Sequence, residues 1–136
     1  MKTAKLFAWV ILSFAFIGCR EGVDLALRNL NVDWNATNKK AKAEIANIGD
    51  MDSGNFLVYF NGEENPVSPN HRPQVTHNIP NLARGTSITL EADFAPLAHS
   101  DNNNLGNVVG IRVIVDPKNT VKEFDENNNE KVVPIR

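Results

Sequence analysis

An all-β sandwich is the fold class that this 136-residue sequence predicts, and three features carry the prediction. Beyond residue 18, apolar residues recur mostly at every second position in runs of five to nine residues, the period of half-buried strands. Clusters of Gly, Pro, Asn and Asp separate these runs, as turns do. Helical periodicity is almost missing. Seven runs in about 110 residues favour an immunoglobulin-like antiparallel β-sandwich with Greek-key connections over a small closed barrel, because several runs are long.

The first three runs have different strand patterns. Residues 24–34 alternate in one phase and then in the other, so we expect a bulge near Arg28 and Asn29 that lets this strand pair with both sheets. Residues 41–48 place Ala and Ile on one face and Lys and Glu on the other. Residues 55–61 are almost continuously apolar, which predicts a central strand covered on both faces.

Four more runs complete the sandwich. We expect a tight turn at Asn61 and Gly62, then a long exposed connection over residues 63–73, where three prolines block regular ladders. A polar loop is expected over residues 100–106. The four strands are residues 74–79 at a sheet edge, residues 88–94 with Ile88, Leu90, Ala92 and Phe94 inward, the run of Val109, Ile111, Val113 and Val115, and residues 131–135.

The first 18 residues have the layout of an export signal. Lys2 and Lys5 precede an apolar run of thirteen residues, which ends immediately before Cys19. A run of this length is too short to span a bilayer permanently, so the segment is typical of a signal peptide that is removed.

Processing at Cys19 is predicted to attach lipid. The segment Phe-Ile-Gly-Cys at residues 16–19 resembles a lipobox except at Phe16, where leucine is usual. We therefore expect cleavage after Gly18, acyl chains (palmitate-type) on Cys19 and a short tether over residues 19–23. Ordinary cleavage after Ala15 and an uncleaved membrane anchor are the alternatives. Cys19 is the one cysteine, and lipidation would give an otherwise unpaired thiol a use.

Length and charge limit what the remaining chain can do. About 118 residues fit one domain, residues 24–136, with a single core. Removing residues 1–18 takes away two of the 14 basic side chains and leaves the 16 acidic ones, so the formal charge falls to near −4. The short cluster of Lys39, Lys40 and Lys42 is interpreted as a solvated turn before a strand. Nucleic-acid binding is excluded, because it needs a concentrated basic face.

Four stretches resemble the CARDB family, bacterial and archaeal modules described as related to cell adhesion. They are Asp24-Leu25, ANIG at residues 46–49, IPNLARGT at residues 79–86, and VDPKNTVKEFDENN at residues 115–128. The resemblance spans roughly residues 24–135 and implies an immunoglobulin-like, non-catalytic module of the cell envelope. The connections at residues 63–73 and 100–104 are longer than is usual in the family.

The last of these stretches is the candidate site, and a structural role is the favoured interpretation. Pro117 sets a turn after Asp116, and Asn119 can take a left-handed conformation or cap backbone amides. Asn128 and Asn129 can do the same before the final strand. Val121 and Phe124 are expected to fill the end of the core.

Calcium binding is the alternative interpretation of the same stretch. Asp116, Glu123, Asp125 and Glu126 place hard oxygen donors within eleven residues, and asparagine carbonyls lie nearby. The spacing differs from that of an EF-hand, which needs ligands at alternate positions and a central glycine. Calcium is thus the one cofactor that the sequence leaves open.

No other motif in the sequence indicates catalysis. His71, His77 and His99 lie in different loops or strand edges without the spacing of a zinc-binding motif, and exposed positions explain them. Glu63 and Glu64 are adjacent on an expected turn and would diverge, unlike the paired carboxylates of a glycosidase. Nucleophile-elbow, P-loop and dinucleotide motifs do not occur. We therefore predict no catalytic residues.

Two functions fit these features. The first is a binding or adhesion module, lipid-anchored in the cell envelope at the outer membrane or cell surface, that presents its domain to a protein or polysaccharide. The second is an accessory lipoprotein that braces an envelope complex without a free ligand. Contacts through residues 63–73 or 99–104 would favour the first.

Overall fold

The computed structural model describes residues 21–67, 72–99 and 105–135, so the predicted signal segment and Cys19 lie outside the described residues. The described part contains seven strands and three short 3-10 helices. The strands are β1 Leu25–Trp34, β2 Lys39–Asn47, β3 Phe56–Glu64, β4 Gln74–Ile79, β5 Ser87–Asp93, β6 Val108–Val115 and β7 Glu130–Pro134. The short helices are Ala95–His99, Leu105–Asn107 and Glu126–Asn128.

Two antiparallel sheets face each other. One has the strand order β1-β2-β5 and the other the order β4-β3-β6-β7. Because β3 and β6 pair directly although two strands separate them in sequence, the connections form a Greek key. The predicted immunoglobulin-like sandwich is confirmed.

Alternate side chains from the two sheets form one core between them. On β3, Phe56, Val58 and Phe60 are almost fully buried, and Phe94 closes the core after β5. The alternation predicted for residues 88–94 is present, with Ile88 only partly buried. In the described part of the chain, no helix is long and apolar enough to cross a membrane.

The expected bulge in β1 is present, but its expected consequence is wrong. The register shifts between Leu27 and Asn29, and β1 pairs with β2 alone. Before the bulge the odd-numbered residues face inward, and after it the even-numbered residues do. Leu25 and Leu30 therefore both face the core. The change of phase therefore keeps one strand packed on one core.

The predicted turn at Asn61 and Gly62 is also wrong. Strand β3 continues through both residues to Glu64, and Gly62 pairs with Ile111. An Asn-Gly pair can form a hairpin turn only where the chain is free to reverse direction. Here β3 continues, because β4 and β6 pair with it on its two sides. Consequently, Glu63 and Glu64 belong to a strand, not to an exposed connection.

Strand β3 is central, as predicted, but only its inner face is fully covered. Leu57 and Tyr59 on the outer face are half-buried, because the domain has two layers and nothing packs outside them. Pro73 is fully buried, which is contrary to the exposed connection predicted for residues 63–73. Its carbonyl accepts a hydrogen bond of 2.7 Å from the Gly62 amide.

Strand β6 contains a bulge that sequence alternation did not predict. Glu64 pairs with Val108 whereas Glu63 pairs with Gly110, so Val109 is the extra residue. As a result Val108 is buried and Val109 is 47% exposed, the reverse of the predicted phase. The phase predicted for Ile111, Val113 and Val115 is confirmed, since all three are buried.

Lys39, Lys40 and Lys42 lie on β2 and not on a preceding turn. The β1–β2 hairpin is closed earlier, by the Asn35 side chain, which accepts hydrogen bonds from the Thr37 and Asn38 amides at 2.9 Å and 2.8 Å. Lys40 and Lys42 then reach Glu91 on β5 at 3.1 Å and 3.4 Å across the open face of the sheet.

Because the paired strands are antiparallel, the connecting segments lie at two opposite ends of the sandwich. We call one the N-terminal end, formed by residues 21–24, 48–55, 80–86 and 116–129. The connections after β1, β3 and β5 begin at the opposite, distal end, whose described residues are 35–38, 65–67, 72–73, 94–99 and 105–107. The candidate turn therefore lies beside the start of the domain.

Candidate functional site

Asp116 organises the turn that follows β6. It is 1% exposed and has a φ of 44°, in the left-handed region that aspartate tolerates better than most residues. Its carboxylate accepts hydrogen bonds from the Thr120 hydroxyl at 2.6 Å and the Val121 amide at 2.7 Å. The Asn119 amide donates to the Asp116 carbonyl at 2.9 Å, and Asn119 itself has a φ of 49°. This network draws Val121 into the core, where it is buried.

The second half of the turn holds the first residues of the domain. Glu123 Oε2 accepts a hydrogen bond of 2.6 Å from the Leu25 amide, and Val23 forms a parallel bridge with Glu123. The Phe124 amide donates to the Val23 carbonyl at 3.1 Å. The Phe124 ring lies over Gly22 and is 42% exposed. The expectation that Phe124 fills the end of the core is therefore wrong. We call Val23, Leu25, Glu123 and Phe124 the N-terminal clasp.

Burial sets the ionisation of Glu123. Loss of solvent raises the pKa of its carboxyl from 4.5 to about 7. The negative charges of Glu126 and Asp116 contribute smaller parts of this rise in the pKa, whereas hydrogen bonds from the Leu25 amide and Asn129 oppose it. The clasp is therefore held by a group that changes charge near neutral pH.

The remaining predicted residues surround the clasp. Asp125 caps the short helix Glu126–Asn128 by accepting from the Asn127 amide at 2.9 Å. Glu126 accepts from the Glu123 amide at 3.2 Å. Asn128 donates to Asp24 at 3.0 Å, and Asn129 donates to Glu123 Oε1 at 2.9 Å. Pro117 follows Asp116 at the tip of the turn.

Each of the four carboxylates that the calcium hypothesis groups together accepts hydrogen bonds within the protein, and Glu123 and Glu126 share the Asn129 amide as a donor. Among the described residues, no group of three or more His, Cys, Asp and Glu side chains is arranged to hold a metal ion. Asn128 Oδ1 and Asn129 Oδ1 are buried and accept no hydrogen bond from the described part of the chain. Calcium binding at this turn stays a prediction from sequence.

Sequence reasoning missed Asn47, which joins the loops of the N-terminal end. Asn47 is 1% exposed, and its side-chain amide donates to the carbonyls of Met51 at 2.8 Å and Leu82 at 2.9 Å. Its Oδ1 accepts from the Gly49 amide at 3.1 Å. The signal was present in the ANIG stretch, since an asparagine among apolar residues at a strand end commonly bonds to loop backbone.

Replacing Gly49 with Ala tests how closely the chain packs at this end. A Cβ at Gly49 would lie 2.3 Å from the Gly22 carbonyl oxygen and 2.7 Å from the Asp24 amide nitrogen, so backbone must move. We expect the free energy of unfolding to fall by about 2–3 kcal/mol in urea denaturation. Gly54→Ala is the matched control, because Gly54 has a φ of 68° but open space around it. Its expected loss is about 1 kcal/mol, and equal losses would contradict the close packing.

The distal end carries a different feature, an open apolar groove of about 330 Å³. Its lining residues are Val32, Trp34, Val133, Pro134 and Ile135. Trp34 contacts the Phe94 ring edge-on at 5.4 Å between centroids, and the Lys39 ammonium lies 5.4 Å from the Trp34 ring. Trp34 is thus partly a core residue and partly a surface one.

His77 lies on the edge strand β4, as expected, and its side chain is partly buried. Its ring packs edge-on against Phe60, with 5.6 Å between the ring centroids. His71 and the side chain of His99 lie outside the described residues. The three histidines therefore give no described metal cluster.

Comparisons with known proteins place this geometry in a family. The CARDB family model matches residues 24–133. A search of curated proteins finds no match. Among solved structures, the solution NMR structure of a domain, residues 272–376, of an inferred cell surface protein of Methanosarcina acetivorans superposes with a TM-score of 0.58. It is 23% identical, and the alignment covers 83% of this chain and 90% of that domain, so the likeness concerns the fold. Because the family model spans most of the sequence, this chain belongs to the CARDB family.

Proposed function

We propose that this CARDB protein is a lipid-anchored, non-catalytic adhesion module of the bacterial cell envelope that presents its sandwich to a protein or polysaccharide partner. The observation that carries the proposal is the position of the chain's entry into the fold. Residues 21–24 lie at one end of the sandwich, and the connections singled out from sequence begin at the other. A tether to Cys19 would therefore leave the distal end facing away from the membrane.

The N-terminal clasp suits a domain held by its first residues. A force on a tether at Cys19 would reach the sandwich through Val23 and Leu25. Val23 forms a bridge with Glu123 of the turn, and Leu25 both donates to Glu123 and begins β1. Because this segment is held both by the turn and by pairing of β1 with β2, it should unfold locally less often than a strand end that is held by strand pairing alone. Glu123, whose carboxyl pKa is raised to about 7, accepts a hydrogen bond from the Leu25 backbone amide, and this structural engagement favours a binding role over a catalytic one.

The distal surface offers chemistry for a macromolecular contact. The apolar groove beside Trp34 is flanked by the Lys39 side chain, a combination of flat apolar surface and polar donor that suits protein or sugar partners. Val67, also at the distal end, is 63% exposed. These features support a contact surface at the end opposite the tether.

Intact-mass spectrometry of membrane-extracted protein tests the anchor. We expect a mass that lacks residues 1–18 and includes acyl chains on Cys19. A Cys19→Ser variant is expected to leave the membrane fraction, because two or more acyl chains are needed for stable anchoring. A full-length mass with an unmodified thiol would refute the lipid anchor.

A binding comparison tests the distal surface. Val67→Asp places a charge at the distal end, and Met51→Asp places the same charge at the N-terminal end, where Met51 is 50% exposed. We expect the first variant to lose retention on isolated cell envelopes and the second to keep it. Equal retention of both, with loss of envelope integrity when the protein is removed, would instead support the bracing role.

A further inference from the structure

The outer edge of β4 carries backbone groups that no described strand pairs with. Among the residues that the structure describes, β4 pairs only with β3, and the Gly62 amide donates to the Pro73 carbonyl at 2.7 Å in the same register. Hydrogen-bonding direction alternates along an antiparallel strand, so residues 73, 75, 77 and 79 bond toward β3. The amides and carbonyls of Gln74, Thr76 and Asn78 therefore point away from the sheet.

The other three edge strands of the described sheets have features that discourage pairing. β1 is bulged and carries exposed Arg28 and Asp33. β5 carries exposed Glu91 and Asp93, and β7 begins with Glu130-Lys131 and ends at a proline. Charges, bulges and prolines are the usual means by which an edge is kept from adding strands.

Within its six residues β4 has none of these protective features, since Pro73 and Pro80 lie just outside the strand at its two ends. Its sequence is Gln-Val-Thr-His-Asn-Ile, without an acidic residue, Lys, Arg or Pro, and its register with β3 contains no shift. Gln74, Thr76 and Asn78 are exposed, while Ile79 is buried and Val75 and His77 are partly buried. An unprotected, regular edge with neutral side chains is a template for one more strand.

We propose that the occupant of this edge is the β4 strand of a second copy, paired antiparallel about a two-fold axis at Thr76. In that register Thr76 faces Thr76 of the other copy, and Gln74 faces Asn78. These are the residues whose backbone groups point outward, so each facing pair exchanges two hydrogen bonds. No like charges oppose each other, and Thr–Thr and amide pairs are favourable cross-strand neighbours.

Antiparallel pairing also fixes the orientation of the two copies. Because β4 runs from the distal end to the N-terminal end, the second domain is inverted, and the two N-terminal ends lie on opposite sides of the dimer. If both copies are lipid-anchored, which rests on the proposed function, the tethers leave toward two different membranes. Each dimer would then join two membrane surfaces. Many such dimers acting together would hold the surfaces more tightly than one weak dimer could.

Charged substitutions at Thr76 test this pairing in the detergent-solubilised full chain. In sedimentation equilibrium we expect the wild type to dimerise, and Thr76→Lys and Thr76→Glu each to weaken dimerisation at least about tenfold, because like charges meet at the axis. An equimolar mixture of the two variants is expected to dimerise again. A monomeric wild type, or variants that dimerise as the wild type does, would overturn the proposal.

The same substitutions at Thr89 are the matched control, since Thr89 is an exposed threonine on the edge strand β5. They are expected to leave dimerisation unchanged, and an equal loss at Thr89 would point to a general charge effect and overturn the β4 assignment. Orientation is tested by clustering of phosphatidylglycerol vesicles that carry the protein. We expect clustering for the wild type and the mixed variants only. Dimers that leave vesicles dispersed would refute the inverted arrangement, whereas the acylation and envelope-binding tests decide the proposed function separately.

Discussion

Replacing Asp116 with Ala is expected to lower the free energy of unfolding by about 3–5 kcal/mol, measured by urea denaturation at neutral pH. The substitution removes the acceptor for the Thr120 hydroxyl and leaves the Val121 amide buried without its partner. It also places alanine at a φ of 44°, which a Cβ without a polar group disfavours. Marginal stability makes this a large fraction of the total for a domain of this size.

Two further variants separate the causes of that loss. Asp116→Asn keeps the shape, an acceptor oxygen and tolerance of the left-handed conformation, so we expect a loss of only about 1–2 kcal/mol. Asp125→Ala removes an exposed cap whose carboxylate accepts from the Asn127 amide, with an expected loss of about 1 kcal/mol. If Asp116→Ala were no more harmful than Asp125→Ala, the buried network would not stabilise the turn as inferred.

Glu123 is expected to make the domain less stable as pH rises from about 4.5 to about 7. The pKa of its carboxyl is about 7 in the folded protein and 4.5 when exposed, so the folded state holds the proton more tightly within that window. Stability contributed by the protonated form is complete below the lower pKa and is lost as pH rises through the higher one. Partial solvent screening limits the change to about 2 kcal/mol.

A Glu123→Gln variant is expected to lose this pH dependence. The glutamine carbonyl can accept the Leu25 hydrogen bond. Its amide then takes the place of the oxygen that accepts from Asn129 Nδ2, and it can donate to Asn129 Oδ1 once the Asn129 side-chain amide turns over. We expect similar stability to the wild type at pH 5 and about 2 kcal/mol more at pH 8, measured by denaturation across that range.

Glu126→Gln is the control for the pH effect. It removes a neighbouring negative charge that raises the pKa of Glu123, so the wild-type change in stability is expected to persist but to move to lower pH. An unchanged pH slope in Glu123→Gln would show that another group causes the titration.

Local sequence was sufficient to predict the sandwich, the approximate positions of its strands and the turn after β6. The period-two alternation gave β4 its bounds, and it placed Leu90, Ala92 and Phe94 in the core. The Asp-Pro and asparagine positions after β6 predict the turn that the structure contains. These features are readable because they depend on residues within a few positions of each other.

Contacts between distant residues could not be predicted in the same way. Asn61 and Gly62 continue a strand because β4 and β6 pair with it from both sides, which no local pattern reports. Val109 turns outward because of one extra residue opposite Glu63 and Glu64. Glu123 was a candidate metal ligand in sequence, yet its partner is the Leu25 amide, 98 positions away.

The sequence by itself determined an all-β sandwich with an acidic turn before its last strand, because alternation and turn residues act locally. The tertiary structure alone decided that this turn holds the first residues of the domain, that the N-terminal end and the distal end lie opposite each other, and that β4 is an edge strand without charged residues. The physical reason is that burial, register and the direction of backbone hydrogen bonds are set by which strands become neighbours, and that pairing depends on the whole chain.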